Sequence, residues 1–355
     1  MDILILVISF VVILVGAELF TNGIEWFGKK LELAEGAVGS VLAAVGTALP
    51  ETMIPIIAIL FAVGGSEASS HAVGIGAILG APFMLATLAM FVTGVAVLIV
   101  ARQRPSGDRM PVDTKVLAHD MRYFAIAYAL AVGAAFLPLD PVWPKWVVAV
   151  VLIAIYAWYV KAHFEADVDV DAVDLAPLRF RRLDRSGHAA DPAVPRLRVV
   201  NVQVLAALGF IIAGAWFFVG AVEHLATTLG VDEALLALVI APIATELPEK
   251  FNSVIWVRQG KDTLAMGNIT GAMVFQSTIP TVVALVFASS AWHIGPGTYT
   301  AFASAGIAFV SSAAIFLPMA RRGVLRGRTL LVGGVFYVAY LAIVVAVITG
   351  AFGAG

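Results

Sequence analysis

The sequence contains no cysteine and few charged residues. Without cysteine, the chain cannot form disulfides, thiolate metal sites or cysteine nucleophiles. Only 13% of the 355 residues are charged, about half the share usual in soluble domains. The six histidines are scattered, and none has a metal-binding spacing such as HExxH. Apolar residues instead make up 61% of the chain, and the mean hydropathy is +0.97, which is typical of a polytopic membrane protein.

Ten apolar segments, each close to the length of about 20 residues that a membrane crossing needs, predict ten transmembrane helices. They lie near residues 3–27, 37–62, 72–101, 122–139, 143–161, 200–228, 234–257, 263–290, 298–319 and 329–351. The predicted fold class is therefore an all-α polytopic membrane protein. We expect membrane lipid as its surroundings and no nucleic acid as a partner.

The basic residues orient the predicted bundle. Of the 22 Lys and Arg, all but two fall in alternate loops, which the positive-inside rule assigns to the cytoplasm. The two exceptions are Lys145, in an outer loop, and Lys250, within a span. This distribution predicts a multi-pass protein with both termini outside. The compact loops and the lack of an organelle signal predict the plasma (inner) membrane.

A repeated motif divides the chain into two halves. Four residues of the first half recur 198 positions later: Thr47, Leu49, Pro50 and Glu51 return as Thr245, Leu247, Pro248 and Glu249. The repeat predicts a first five-helix unit over residues 1–162, a polar cytoplasmic loop over 163–199, and a second five-helix unit over 200–355. Ten spans and one duplication thus give five helices in each half.

The two halves are predicted to be inverted. The loop after the first motif, GGSEASSH, has no Lys or Arg and belongs outside, whereas the loop after the second motif contains Arg258 and Lys261 and belongs inside. Pro50 and Pro248 should break the helices that carry the motifs. Inverted repeats with broken helices meeting at the midplane are the architecture of secondary transporters.

The second motif lies in the stretch APIATELPEKFNS, where Glu246, Glu249 and Lys250 interrupt an apolar segment. An ionised side chain at the bilayer centre costs roughly 2.5 to 3.5 kcal/mol, so it is kept mainly where it faces a partner, a cavity or an ion. Glu51 and Glu249 should face each other, and they would repel unless a cation lies between them. Lys250 either neutralises Glu246, four residues before it, or points to the inner water.

The GTALPE and ATELPE motifs, each followed by a glycine-rich helix, resemble the α-repeats of the cation/calcium antiporter superfamily, whose members exchange Ca²⁺ for Na⁺ or H⁺. The resemblance implies that Glu51 and Glu249 are the central cation ligands and that Thr47 and Thr245 support them. It also implies transported Ca²⁺, Na⁺ or H⁺ as cargo and no resident cofactor.

The sequence departs from the family motif at several oxygen-bearing positions. The family serine is Ala48 in the first repeat and Glu246 in the second, and the following helices carry Ala81, Leu85, Ala272 and Gln276 where the family has polar residues. Ca²⁺ takes 6 to 8 oxygens, so Glu246 and Gln276 become candidate ligands beside freed carbonyls and water. Thr270 and Ser277 are expected to hold helices together rather than bind cargo.

Three functions remain open. The first is Ca²⁺ exchange for Na⁺ or H⁺ by alternating access, and a related alternative is a monovalent cation (Na⁺)/proton antiporter. The second is a cation channel that uses the same carboxylates, although an inverted repeat argues against it. The third, an intramembrane enzyme, is not expected, because no nucleophile or histidine ligand accompanies the acids.

Overall fold

The computed structural model describes residues 2–30, 49–61, 66–165, 176–183, 195–231, 236–238, 246–295 and 297–348. These ranges are almost entirely helical, as the sequence predicts. The helices are α1 (Asp2–Lys30), α2 (Leu49–Phe61), α3 (Glu67–Met84), α4 (Met90–Val100), α5 (Thr114–Gly133), α6 (Trp143–Glu165), α7 (Leu197–Leu229), α8 (Leu247–Arg258), α9 (Asp262–Phe287), α10 (Tyr299–Arg322), α11 (Gly327–Leu330) and α12 (Val332–Ile348). A π-helical turn, Leu85–Ala89, joins α3 to α4.

Seven helical stretches of the described chain are long and apolar enough to cross a membrane. They are Asp2–Ile24, Glu67–Gln103, Trp143–Ala162, Leu197–Leu229, Asp262–Phe287, Tyr299–Arg322 and Gly327–Val347. Large apolar side chains such as Val7, Val150 and Val335 are exposed on their outer faces, where lipid rather than water suits them. The chain is therefore a multi-pass membrane protein, and the count of ten spans stays a prediction.

Helix α5 begins earlier than the predicted fourth span. It starts at Thr114 rather than near residue 122 because the carboxylate of Asp113 caps it, accepting hydrogen bonds from the backbone N–H groups of Lys115 (2.8 Å) and Val116 (3.3 Å). Its first turns therefore carry polar residues, and α5 is not among the seven apolar stretches. Hydropathy alone missed this helical start because a cap depends on one side chain.

Helices α1 and α7, the first of each predicted half, pack against each other in opposite directions. A Cβ added at Gly16 would lie 2.8 Å from Cγ1 of Ile211, and one added at Gly214 would lie 2.6 Å from Cγ1 of Ile13. Later residues of α1 thus meet earlier residues of α7, so the helices are antiparallel. The missing side chains let the two backbones approach closely.

The glycine-rich helices α3 and α9 are each held by the last two helices of the other half. On α9, Thr270 donates to the carboxylate of Asp120 on α5 (2.6 Å), which also accepts from Tyr159 on α6 (3.1 Å). The continuous helical stretch formed by α3, the π-helical turn and α4 packs against α10 and α12. Within it, the carbonyl of Ala86 in the π-helical turn accepts a hydrogen bond from Ser311 on α10 (2.7 Å). The packing is reciprocal between the halves.

One end of the bundle is rich in arginine, and ion pairs tie its connections together. Arg104 forms a salt bridge with Asp262 at the start of α9 and donates to the carbonyl of Val257 near the end of α8 (3.3 Å). Strand β1 (Arg109–Met110) pairs antiparallel with β2 (Leu325–Arg326). This basic end therefore links the α8–α9 connection to the loop after α4.

Lys145 anchors the opposite end of α9. Its side chain is fully buried, and its ammonium donates to the carbonyls of Ser289 (2.7 Å) and Trp292 (2.8 Å) just beyond that helix. The indole of Trp292 donates in turn to the carbonyl of Ala131 (3.0 Å). A cation near a helix C-terminus is favoured by the negative end of the helix dipole, and this one also satisfies carbonyls of the turn that follows α9.

The described part of the central loop docks between α1 and α7. The carbonyl of Ala176 accepts hydrogen bonds from the indole of Trp26 (2.9 Å) and the amide of Asn22 (3.2 Å), and the side chain of Gln203 on α7 accepts from the N–H of Phe180 (2.8 Å). Leu178 is buried in the same place. Residues 176–183 therefore tie together the arginine-rich ends of the two first helices.

Candidate cation-binding site

Glu51 lies in the first turn of α2, in the interior of the protein. Its side chain is 4% exposed, and the neighbouring Thr52 is equally buried. Helix α2 packs against α3, α7 and α9. The first turn of a helix favours a carboxylate because the aligned peptide dipoles are positive there. The fold thus holds an acidic side chain inside the bundle, as the sequence predicts.

Glu246 is the residue immediately before α8, and Lys250 lies one turn into that helix. The ammonium of Lys250 donates to Oε2 of Glu246 at 3.0 Å, and the two side chains are 5% and 1% exposed. Of the two interpretations of Lys250 drawn from the sequence, the ion pair is the correct one.

Pro248 does not spoil the pair because it falls in the first turn of α8. Helix α8 begins at Leu247, and N–H groups in a first helical turn have no intrahelical acceptor, so proline costs little there. The backbone N–H of Lys250 still reaches the carbonyl of Glu246 at 3.2 Å. The helix start at the proline and the intact i,i+4 pair are therefore compatible.

Two buried oxygens in this region are candidate acceptors for a further partner. Oε1 of Glu246 and Oε1 of Gln276 accept no hydrogen bond from any residue that the structure describes. Gln276, 2% exposed, is on α9, the helix that packs against both α2 and α8. Carboxylate and amide oxygens are the ligands that hard cations such as Ca²⁺ prefer.

Other predicted ligands cannot be placed from the structure. Thr47 and Thr245 lie outside the described residues, as does the side chain of Glu249, whose backbone is in α8. The facing arrangement of Glu51 and Glu249 therefore stays a prediction. Within the described ranges, no group of three or more His, Asp or Glu residues could hold a metal ion.

The positions at which the sequence departs from the family motif are in the interior. Ala81 and Leu85 are each 1% exposed, and Ala272 is 3% exposed. Leu85 also begins the π-helical turn, a feature often found at functional sites. Apolar side chains thus face the protein interior where family members carry oxygens, and Ala48 lies outside the described residues.

One contact near these residues was not expected from the sequence. Asp120, 1% exposed, accepts from Thr270 on α9, which confirms the expectation that Thr270 holds helices together. Asp120 lies two residues before the predicted fourth span, where an acid is ordinarily solvated, so only the fold reveals its burial.

The surface cavities of the described chain lie away from the candidate residues. One, of about 310 Å³, is lined by Pro177, Leu178, Arg179, Arg181 and Arg182. Another, of about 680 Å³, lies between the start of α3 and the loop after α9, and it includes Glu67, His71 and His293. Glu51, Glu246 and Gln276 line neither of these two cavities.

Comparison with known proteins decides the family. The family described as "Sodium/calcium exchanger protein" matches residues 1–164 and 200–349. The chain belongs to the sodium/calcium exchanger family. The two matched segments leave out only the middle of the central loop and the last residues, so the exchanger family covers both motif-bearing halves. Membership makes cation/calcium antiport the general activity.

Individual members of the exchanger family and solved structures agree with this assignment. The chain is 24% identical over 344 residues to "Putative antiporter CaxA" of Alkalimonas amylolytica, a match that covers 94% of each chain. The crystal structure of the H⁺/Ca²⁺ exchanger CAX has the same fold, with a TM-score of 0.71 and 17% identity over 98% of this chain and 85% of that one. The sodium-calcium exchanger NCX_Mj, soaked with Na⁺ and Ca²⁺, gives a TM-score of 0.55 and 16% identity over 96% and 97%.

Proposed function

We propose that this member of the exchanger family is a secondary active antiporter that exchanges Ca²⁺ for Na⁺ or H⁺ by alternating access. The observation that carries the proposal is the burial of Glu51 at the first turn of α2, 4% exposed, at the position that the sequence repeat equates with Glu249. A buried carboxylate is costly unless a cation or a partner compensates it. A pair of such carboxylates provides one site at which the exchanged ions compete.

The proposed ligand set consists of two central carboxylates and several supporting polar side chains. Glu51 and Glu249 are the central ligands, Thr47 and Thr245 support them, and Glu246 and Gln276 add oxygens. The buried acceptor oxygens of Glu246 and Gln276 that the described chain leaves without a hydrogen bond support the last two assignments. Water and backbone carbonyls near the start of α8 complete the coordination that Ca²⁺ requires.

The proposed architecture is ten transmembrane helices in two inverted five-helix repeats with broken helices at the midplane. Two observations support it: α1 and α7 are antiparallel, and each glycine-rich helix packs against the last two helices of the other half. An inverted repeat lets one set of contacts serve an outward-open and an inward-open state. We place the arginine-rich end in the cytoplasm and both termini outside the plasma membrane, as the positive-inside rule indicates.

Monovalent cation (Na⁺)/proton exchange is the second candidate. The observation in its favour is the apolar character of Ala81, Leu85 and Ala272, all buried at family oxygen positions. Fewer oxygens weaken a site for Ca²⁺, which takes 6 to 8 of them. Loss of these ligands would affect a monovalent ion less.

Ca²⁺ uptake into proteoliposomes tests the proposal. Vesicles containing the purified protein are loaded with Na⁺, or given a pH gradient instead, and uptake is compared for the wild type, Glu51→Gln and Glu249→Gln. We expect uptake driven by at least one gradient and its loss in both variants. Glu67→Gln is the matched control, because Glu67 also lies in a first helical turn but its side chain is 79% exposed. Folded protein that moves Na⁺ against H⁺ but no Ca²⁺ would establish the second candidate instead.

A further inference from the structure

The exposed apolar face of α1 ends at an acid beside the central loop. Exposed side chains of α1 recur every three or four residues and so form one stripe along the helix: Leu4, Ile8, Val11 and Val15. Glu18 continues this stripe, and its side chain is 63% exposed. Arg179 of the central loop donates to Oε1 of Glu18 at 2.7 Å. Because the apolar stretch of α1 runs to Ile24, the loop reaches the face of the protein that lipid covers.

The backbone around Arg179 is fixed to both first helices. Its N–H donates to the side-chain oxygen of Asn22 on α1 (3.0 Å), and the N–H of Phe180 donates to the side-chain oxygen of Gln203 on α7 (2.8 Å). Leu178, 2% exposed, is buried in the same contact. A group that is already held in place loses less conformational entropy on binding. The arginines of this segment are therefore better prepared to bind a ligand than arginines on an unattached loop.

The segment is amphipathic. Arg179–Leu183 form a 3₁₀ helix, in which side chains three residues apart lie on the same side. Arg179 and Arg182 thus share one side, and Phe180 and Leu183 share another, where Leu183 is 60% exposed. An exposed apolar side chain beside basic ones is typical of a segment that lies at a membrane interface.

The cavity of about 310 Å³ beside this segment is basic. Of the described residues that line it, three are arginines and none is acidic. Arg179 is paired with Glu18, whereas Arg181 and Arg182 are exposed and form no ion pair with any residue in the described ranges. Guanidinium groups bind phosphate oxygens through paired hydrogen bonds. The volume lies at the lower end of the range for small-molecule sites, roughly 300 to 1,000 Å³.

We infer that this cavity binds the phosphate group of an anionic phospholipid, with Arg181 and Arg182 as its ligands and the acyl chains along the exposed stripe of α1. Free phosphate has the same chemistry, but the cavity borders the face that lipid covers. The proposed cytoplasmic placement of the arginine-rich end puts the cavity at a leaflet whose negative surface potential comes from anionic lipid. The bound lipid would fasten residues 176–183, and with them the adjoining ends of α1 and α7. This binding does not depend on which ions the protein exchanges.

Titration of the purified full chain with phosphatidylglycerol in a neutral detergent tests the inference, and native mass spectrometry counts the bound lipid. Phosphatidylcholine, which has no net charge, should bind more weakly. Arg181→Gln/Arg182→Gln should weaken phosphatidylglycerol binding about 30-fold, since two arginines no longer attract the anionic headgroup. Arg321→Gln/Arg322→Gln is the matched control, because it removes two adjacent exposed arginines at the same end of the bundle that do not line the cavity. Its affinity should be that of the wild type.

Each other result contradicts the inference. Equal binding of phosphatidylcholine by the wild type, or unchanged binding by the cavity variant, would mean that the arginines do not hold an anionic headgroup. Displacement of the lipid by inorganic phosphate at a similar concentration would show a site for soluble phosphate. Equal losses in the cavity variant and its control would show attraction by the general charge of this end. If the cavity variant fails to fold, the lipid comparison and the phosphate competition on the wild type still decide.

The central loop also contains an acidic run that could compete for the cavity. Its members lie outside the described residues: Asp167, Asp169, Asp171 and Asp174. Changing all four to Asn should leave phosphatidylglycerol binding in place. Binding that appears only in that variant would show that the loop itself fills the cavity, and it would overturn the lipid assignment. Because none of these measurements uses transport, failure of the proposed function would leave their outcome unaffected.

Discussion

The two motif-bearing helices are alike in backbone and unlike in charge. Helix α2 has one acid, Glu51, in its first turn, whereas the start of α8 has Glu246, Glu249 and Lys250 within five residues. The repeated proline lies in the first turn of both helices as the structure describes them. The duplicated sequence therefore gives each helix an acid at the corresponding position, and only the start of α8 carries additional charged residues.

The glycine-rich helices show the same contrast. Helix α3 contains Ala81 and continues at Leu85 into a π-helical turn. Serine hydroxyls of α10 donate to the carbonyls of Leu79 in α3 and Ala86 in that turn. Helix α9 instead carries Gln276 and is held through Thr270 by a buried carboxylate, Asp120. Buried hydroxyl–carboxylate contacts hold both helices, since Ser70 on α3 donates to Glu223 on α7. The contrast lies at the candidate positions, where α9 has the polar Gln276, α3 has apolar residues, and the first repeat contributes one buried acid, Glu51.

The largest expected effect is the loss of that one acid. Glu51→Gln keeps the shape of the side chain but removes its charge, so Ca²⁺ transport should fall at least about 100-fold, as for loss of one partner of a buried charge pair. The initial rate of Ca²⁺ uptake into proteoliposomes measures this. Glu246→Gln/Lys250→Gln is the comparison in the other repeat and should lower transport less, because Glu246 is proposed as a supporting ligand and Glu51 as a central one. Equal losses in both would mean that the two repeats contribute alike.

The next largest effect should come from removing Lys250 alone, measured as stability. Lys250→Gln leaves the buried Glu246 without its ion-pair partner, which is expected to destabilise the fold by about 3 to 5 kcal/mol. Thermal unfolding in detergent compares this variant with the wild type. The double variant Glu246→Gln/Lys250→Gln should recover most of the loss. If the single and double variants are equally destabilised, the pair does not act as a unit.

Smaller losses of stability, different for the two helices, are expected when the hydrogen bonds that hold α9 and α3 are weakened. Asp120→Asn weakens two hydrogen bonds that the carboxylate accepts from hydroxyls, and the expected loss of stability is about 1 to 3 kcal/mol. Ser311→Ala removes one hydroxyl that binds the Ala86 carbonyl, with an expected loss of about 0.6 kcal/mol. Thermal unfolding of the two variants side by side gives the order. A larger loss of stability for Ser311→Ala than for Asp120→Asn would contradict this prediction.

The smallest expected effect is a gain. Ala272→Ser introduces an oxygen at a family ligand position on α9, in a side chain that is 3% exposed. If the hydroxyl reaches the cargo, Ca²⁺ affinity should increase by up to about tenfold. The Ca²⁺ concentration for half-maximal uptake reports the change, and Ser277→Ala on the same helix is the control. Unchanged affinity would place residue 272 outside the ligand sphere.

The sequence predicted the features that depend on local patterns. Hydropathy located the helices, the repeat located the motifs, and the i,i+4 spacing of Glu246 and Lys250 offered the ion pair that the fold contains. Whether Pro248 would prevent that pair could not be decided, because the answer depends on the residue at which α8 begins.

Features that depend on distant residues could not be predicted. Lys145 was assigned to an outer loop, yet it is buried, because the carbonyls that accept its hydrogen bonds belong to residues 289 and 292. Asp120 likewise gains its burial from Thr270 and Tyr159 on other helices. The π-helical turn at Leu85–Ala89 has no sequence marker of its own. Each of these requires knowledge of which helices are neighbours.

The ion pair at the start of α8 also bears on how this segment enters the membrane during synthesis. An ionised side chain costs roughly 2.5 to 3.5 kcal/mol at the bilayer centre, and residues 246–250 contain three of them. Because Lys250 reaches Glu246 within one helical turn, the pair can form as soon as the helix does, before any other helix arrives. Residues 246–250 then enter the membrane with a formal net charge of −1 instead of three separate ionised groups.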